Sequence, residues 1–251
     1  MKKLFGLRIG PPKEILASLP VLDILNQKIG QTYNIFVLGK KYAFFSKFLQ
    51  NHPKINEIKI SDHDENLGET DFNVIKSCSY FINPCAPHLK EKDWYNYRSL
   101  IEEICLCSTI DFKLISTIPK LYFNYNIQKK YQLGIIKSNG PDQEWWNHFK
   151  KKIDFNFIEI DESRPFEEQV EQALSCEVNV GAPSDLTWTL AARNCTNQVN
   201  LVSKYKHDHT TNFQSISPKG ENIINIINEE SYNKINIDKT IDSITKKLYN
   251  F

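Results

Sequence analysis

The sequence predicts an α/β protein of two lobes, each a parallel sheet covered by helices. Two observations predict it. Strand-like and helix-like runs alternate at the short spacing of βαβ units, and the alternation lapses mid-chain and then restarts. The composition suits a folded chain: of 251 residues, 41% are hydrophobic and 24% charged. That length holds one large domain or two small ones.

The first lobe opens with an apolar strand at Lys3 to Ile9. After Pro11 and Pro12 comes a helix with Leu16, Leu19, Leu22 and Leu25 at helical spacing, Pro20 to bend it and Gly30 to stop it. YNIFVL (Tyr33 to Leu38) is the second strand, Lys41 to Leu49 a short helix, and INEIKI (Ile55 to Ile60) the third strand. Asp62 to Leu89 is rich in turn residues, with a strand-like patch at Ser79 to Ile82, and Asn96 to Cys107 reads as a helix. The aromatic and Asn-rich stretch Pro119 to Gln128 reads as a connector with edge strands. The lobe boundary falls between about Ser116 and Lys130, giving an N-terminal lobe over 1–125 and a C-terminal lobe over 126–251.

The second lobe restarts with a strand at Tyr131 to Lys137, a helix at Asp142 to Lys152 and a strand at Phe155 to Ile160. A helix over Pro165 to Leu174 follows, with Pro165 near its first turn and Glu167 and Glu168 favoured by the helix dipole. Glu177 to Val180 is a strand, Ser184 to Arg193 a helix, and Gln198 to Val202 a strand. A polar loop spans Lys204 to Ser217, and helical stretches near Glu221 to Asn228 and over Ile237 to Leu248 close the chain. The last could cross back and pack on the first lobe. Two such Rossmann-like lobes would face a cleft at the carboxyl ends of their strands, where ligands bind in open α/β sheets.

Several function classes are disfavoured. The 31 Lys and Arg balance 30 Asp and Glu for a net charge of +1, and no basic stripe marks a nucleic-acid binder. No apolar run reaches a membrane span. The opening MKKLFGLRIG is too short for a secretory signal and reads as a strand, so peripheral membrane contact is the most that is expected. Cys78, Cys85, Cys105, Cys107, Cys176 and Cys195 form no CxxC pair, which suits a reducing, cytoplasmic compartment. The six histidines are scattered. The triplet His207-Asp208-His209 reads as a solvated loop, and no metal is expected. GxGxxG, GxxxxGK[ST] and GxSxG are all missing.

Candidate site residues come from the strand ends. Glu14 follows the first strand and opens the first helix, so it is either a dipole-favoured carboxylate or a general base. Gly181-Ala182-Pro183-Ser184-Asp185 joins a strand to a helix. Ser184 or Asp185 can cap that helix, or its amides can hold a diphosphate while Gly181 permits close approach. Asp185 would oppose a phosphate if it faced the site. Lys137 and Ser138 end the first strand of the second lobe, and Lys137 could neutralise a phosphate. Trp145, Trp146 and Trp188 suit a core or an interface, or a platform for a base or sugar.

The segments LRIGPPKEILASLPVLDIL and NHPKINEIKI, followed much later by EEQVEQALSCEVNVGAPSDLTWTLAARNCTNQVNLVS, resemble the ADP-heptose:lipopolysaccharide heptosyltransferase family (glycosyltransferase family 9), inverting enzymes of GT-B fold. The resemblance covers about Leu4 to Ile60 and Tyr131 to Ser203. The chain is short for that family and divergent within it. Counting back from Leu19-Pro20 places Lys13 on the family's Gly and Glu14 on its catalytic Asp. Ser184 falls on its phosphate-facing Ser or Thr, Pro183 on an Asp, Asp185 on a Gly and Trp188 on a His. The family's Lys in a K-x-W-P stretch has no clean counterpart, and Lys137 is a possible substitute.

The resemblance implies a glycosyltransferase with the acceptor on the first lobe and a nucleoside-diphosphate sugar on the second. Glu14 would serve as base, and Lys137, Ser138, Gly181, Ser184, Asp185 and Trp188 would bind the donor. No metal or separate cofactor is implied. The acceptor would be a hydroxyl of a glycan, a lipid-linked saccharide or a protein. A catalytically inactive GT-B-like binding protein and a sugar-nucleotide-processing enzyme such as an epimerase stay open as alternatives.

Overall fold

The computed structural model describes residues 3–9, 32–64, 67–78, 80–82, 120–194, 196–203, 217–218 and 220–249, with Pro12, Ile15, Leu16, Leu19, Pro20 and Leu22. The helix expected over Asn96 to Cys107, the loop expected from Lys204, and Glu14 itself lie outside the described residues. The chain divides into two compact units that part between Asn124 and Tyr125.

In the first unit β1 (Lys3–Ile9), β2 (Thr32–Leu38), β3 (Glu57–Ile60) and β4 (Tyr80–Ile82) form a parallel sheet in the order β3-β2-β1-β4. The order reverses at β1, with β2 on one side and β4 on the other. Between β1 and β2, Pro12, Ile15, Leu16, Leu19, Pro20 and Leu22 are helical and buried, as the leucine spacing predicts. Ile35 to Leu38 are all buried, so β2 is covered on both faces, as parallel strands require.

The helix expected at Lys41 to Leu49 is a 3-10 turn (Lys40–Phe45) running into α1 (Ser46–Leu49). Helix α2 (Glu69–Ser77) lies where only turn chemistry was read. Its run ETDFNVIKS is too polar to show an apolar stripe. A carboxylate starts it instead: Asp71 accepts the Gly68 amide at 2.8 Å and the Ser61 hydroxyl. Val74 then packs on Ile35 and Val37. The edge strands expected within Pro119 to Gln128 are not formed over 120–128. Leu121 and Phe123 instead hold the segment by burial, with Phe123 edge-on to Phe48 at 5.0 Å.

In the second unit β5 (Tyr131–Ile136), β6 (Phe157–Glu159), β7 (Cys176–Gly181), β8 (Asn197–Ser203) and β9 (Ile223–Asn228) are parallel in the order β6-β5-β7-β8-β9. The helices are α3 (Gln143–Lys152), α4 (Phe166–Leu174), α5 (Asp185–Arg193) and α6 (Ile237–Tyr249). One sheet face is apolar: Leu133, Ile135, Val178, Val180, Val199 and Leu201 pack with Trp145, Trp146 and Phe149 of α3 and Ile244 of α6. Trp145 stacks on Phe149 with ring centres 5.4 Å apart and donates Nε1–H to the Ile235 carbonyl at 2.9 Å. The side chains alternating with that face include Asn179, Gln198 and Asn200, all buried. A Cβ at Gly134 would collide with Asn179 Oδ1 and with Cys176 Sγ, so these two buried side chains favour glycine there.

One expectation changes here. The stretch Glu221 to Asn228 contains a strand, not a helix: the isoleucines of IINIIN are spaced for either, and β-branching with in-register pairing to β8 decides for the sheet. The final helix packs on the second sheet. Ile244 joins the core beside Val178 and Val199, and Asn197 Nδ2 donates to the Lys247 carbonyl at 3.1 Å.

Candidate functional site

The second sheet reverses strand order between β5 and β7. At such a switch point the chain leaves neighbouring strands in opposite directions and opens a crevice at their carboxyl ends. A cavity of about 260 Å³ lies there, lined by Ser138 and Asn139 after β5, Glu162 after β6, and Ser184, Asp185 and Leu186 at the start of α5. Whole-ligand pockets run to ~300–1,000 Å³, so this space suits one part of a nucleotide-sized ligand.

Ser184 sits in extended backbone as the N-cap of α5. Its Oγ accepts the Thr187 amide at 3.3 Å, and Thr187 Oγ1 accepts the Ser184 amide at 2.8 Å, a reciprocal cap that places the first turn of α5 at the cavity. Asp185, the first helical residue, lines the same space. On the opposite wall Asn139 holds a left-handed φ of 56°, a conformation asparagine tolerates better than most residues. The amides of Lys137 and Ser138, just before it, both donate to Glu162 Oε1, at 3.0 and 2.7 Å.

Three expected donor-site residues, Ser138, Ser184 and Asp185, are therefore brought together. The Lys137 side chain, Gly181 and Trp188 do not line this cavity. The Lys137 ammonium pairs with Glu159, which also binds Lys150 at 2.6 Å. Burial pushes the Glu159 carboxyl upward, but its two lysines outweigh that and hold it below the usual carboxylate range. Gly181 is explained by strand packing, since a Cβ there would lie 2.6 Å from the Ile136 carbonyl oxygen. Trp188 is 2% exposed, a buried side chain and not an open platform. Glu14 lies outside the described residues, but it follows β1, where the first sheet reverses order.

Sequence reading missed Glu162, Asn139 and Gln169, which also lines the cavity. Glu162 had a signal: it stands just after the strand that neighbours the switch point. Among the described residues no group of three His, Cys, Asp or Glu side chains is placed to hold a metal ion, and no helix is long and apolar enough to cross a membrane.

No family model matches the sequence, and no curated protein matches it. Solved structures do match in shape. A glycosyl transferase family 9 protein from Veillonella parvula superposes with a TM-score of 0.67 at 9% identity, over 99% of this chain and 98% of that one. The fold is GT-B-like. Escherichia coli ADP-heptose LPS heptosyltransferase II gives a TM-score of 0.66 at 11% identity, over 99% of both chains. Escherichia coli heptosyltransferase WaaC with ADP gives 0.60 at 9% identity, over 98% and 99%. The likeness runs end to end, through both parallel sheets, and at these identities it speaks for the fold.

Proposed function

We propose that this GT-B-like chain is an inverting glycosyltransferase that moves a sugar from a nucleoside diphosphate to an acceptor hydroxyl. The observation that carries the reading is the cavity at the switch point of the second sheet, bounded by the first turn of α5 and the turn after β5. In this reading the diphosphate approaches the first-turn amides of α5 and the turn after β5, and Asp185 is available to accept hydrogen bonds from sugar hydroxyls. Glu14 takes the acceptor's proton as its oxygen bonds to the anomeric carbon. The bond from that carbon to the diphosphate oxygen breaks on the opposite face, inverting the configuration. Amides aimed at the leaving oxygens offset the developing charge. The acceptor is a hydroxyl of a glycan, a lipid-linked saccharide or a protein.

A second reading, a GT-B-like binding protein without catalysis, is favoured by the charge of the cavity. Glu162 and Asp185 both line it, while the ammonium of the adjacent Lys137 pairs with Glu159. Calorimetric titration of the full chain with ADP, GDP, UDP and CMP and their sugar conjugates separates the readings. Selective micromolar binding of one diphosphate and its sugar conjugate is the expected result. Silence across the panel, conjugates included, would remove the transferase.

A further inference from the structure

The turn after β5 holds an anion already. Two consecutive amides, of Lys137 and Ser138, converge on one carboxylate oxygen, Glu162 Oε1, at 3.0 and 2.7 Å, and Asn139 at φ 56° closes the turn behind them. Successive amides that converge on one oxygen form a concavity for anions. The seat lies on the wall of the switch-point cavity, and Glu162 lines that cavity with it. The nearby cation does not explain why Glu162 is there, because the Lys137 ammonium pairs with Glu159.

We propose that Glu162 is an internal stand-in for a ligand's anionic group, occupying an anion seat that a phosphoryl oxygen must take from it. The proposal rests on the donor reading above and adds a regulatory element to it. Without a ligand the protein's own carboxylate fills the seat, and a bound diphosphate displaces from it the Glu162 side chain, which the 161–164 turn carries. That turn has the means to stay folded without the Glu162 side chain. Asp161 accepts from Ser163 Oγ at 2.6 Å and from Arg164 Nε at 3.0 Å, and Gln169 Nε2 donates to the Glu162 and Arg164 carbonyls at 3.2 and 2.8 Å.

The test titrates inorganic pyrophosphate into the full chain and into its Glu162→Gln and Glu162→Ala variants by calorimetry, with melting curves to confirm that each variant is folded. Glu162→Ala frees both amides and should bind pyrophosphate about tenfold more tightly, the effect of removing one charged, hydrogen-bonded competitor. Glu162→Gln keeps the shape without the charge and should gain less. Unchanged or weaker binding in both folded variants overturns the proposal. Adding nucleoside diphosphates and their sugar conjugates tells the two readings apart. If the variants gain pyrophosphate binding but no nucleotide binds, the seat stands and the donor reading falls. If nucleotides bind all three proteins alike, the donor reading stands and the displaceable carboxylate falls.

Discussion

His52 shows how one side chain sets a pH dependence. It is 6% exposed, its Nδ1 accepts the Lys54 amide at 3.2 Å, and its ring meets Tyr122 edge-on at 5.2 Å. Burial pushes its pKa from 6.5 down to about 4. Between those values the unfolded chain binds a proton that the folded one refuses. Stability is therefore full above pH 6.5 and falls as the pH drops toward 4, by roughly 2 kcal/mol at pH 5 from this residue alone. Urea unfolding at pH 7.5, 6 and 5 measures it. His52→Gln should flatten the profile, and an equally steep profile in that variant would assign the acid sensitivity to other groups. Gly181 teaches the opposite lesson at the same scale: a glycine beside a presumed ligand site is there because Ile136 leaves no room for a Cβ.

At the scale of elements, the start of α5 joins stability to the site. Its reciprocal cap uses Ser184 and Thr187, and the cap alone accounts for serine at this position. Ser184→Ala should cost about 1 kcal/mol in urea unfolding, and Ser184→Asp, another good cap, should cost less. A loss of nucleotide affinity in the alanine variant that exceeds its loss of stability would add a direct ligand contact to the cap. No change in stability would remove the capping role. Helices α3, α4 and α5 were legible because their signals are local: Asp142 and Ser184 are side-chain caps, Pro165 precedes the first turn, and apolar residues recur at helical spacing. Helix α2 and strand β9 differ from the sequence expectation for physical reasons. The first is started by a buried carboxylate and carries little apolar surface. The second is a run of isoleucines whose pairing partner, β8, comes from another part of the chain.

At the scale of the molecule, each unit is a parallel sheet with its own reversal of strand order, after β1 in the first and between β5 and β7 in the second. The proposed chemistry divides its labour between them, with the base on the first and the donor pocket on the second. Glu14→Gln should therefore reduce sugar transfer by ~10²–10⁴-fold, the range for a positioned general base, while leaving donor affinity nearly intact. Assay of transfer beside calorimetry checks it. Undiminished transfer would take the base away from Glu14, and lost donor binding would place Glu14 in the donor site.

The sequence by itself determined the α/β class, the repeated βαβ alternation and the strand ends from which Ser138, Ser184 and Asp185 reach one cavity. Periodicity and capping act over a few residues and are written in the chain. Only the tertiary structure decided that Glu162 occupies the amides of Lys137 and Ser138, that Lys137 turns to Glu159, that Trp188 is buried and that the last helix packs on the second sheet. Those outcomes depend on which strands lie side by side and on which charges they bring within reach. Strand order follows from long-range pairing and packing, which local spacing does not encode.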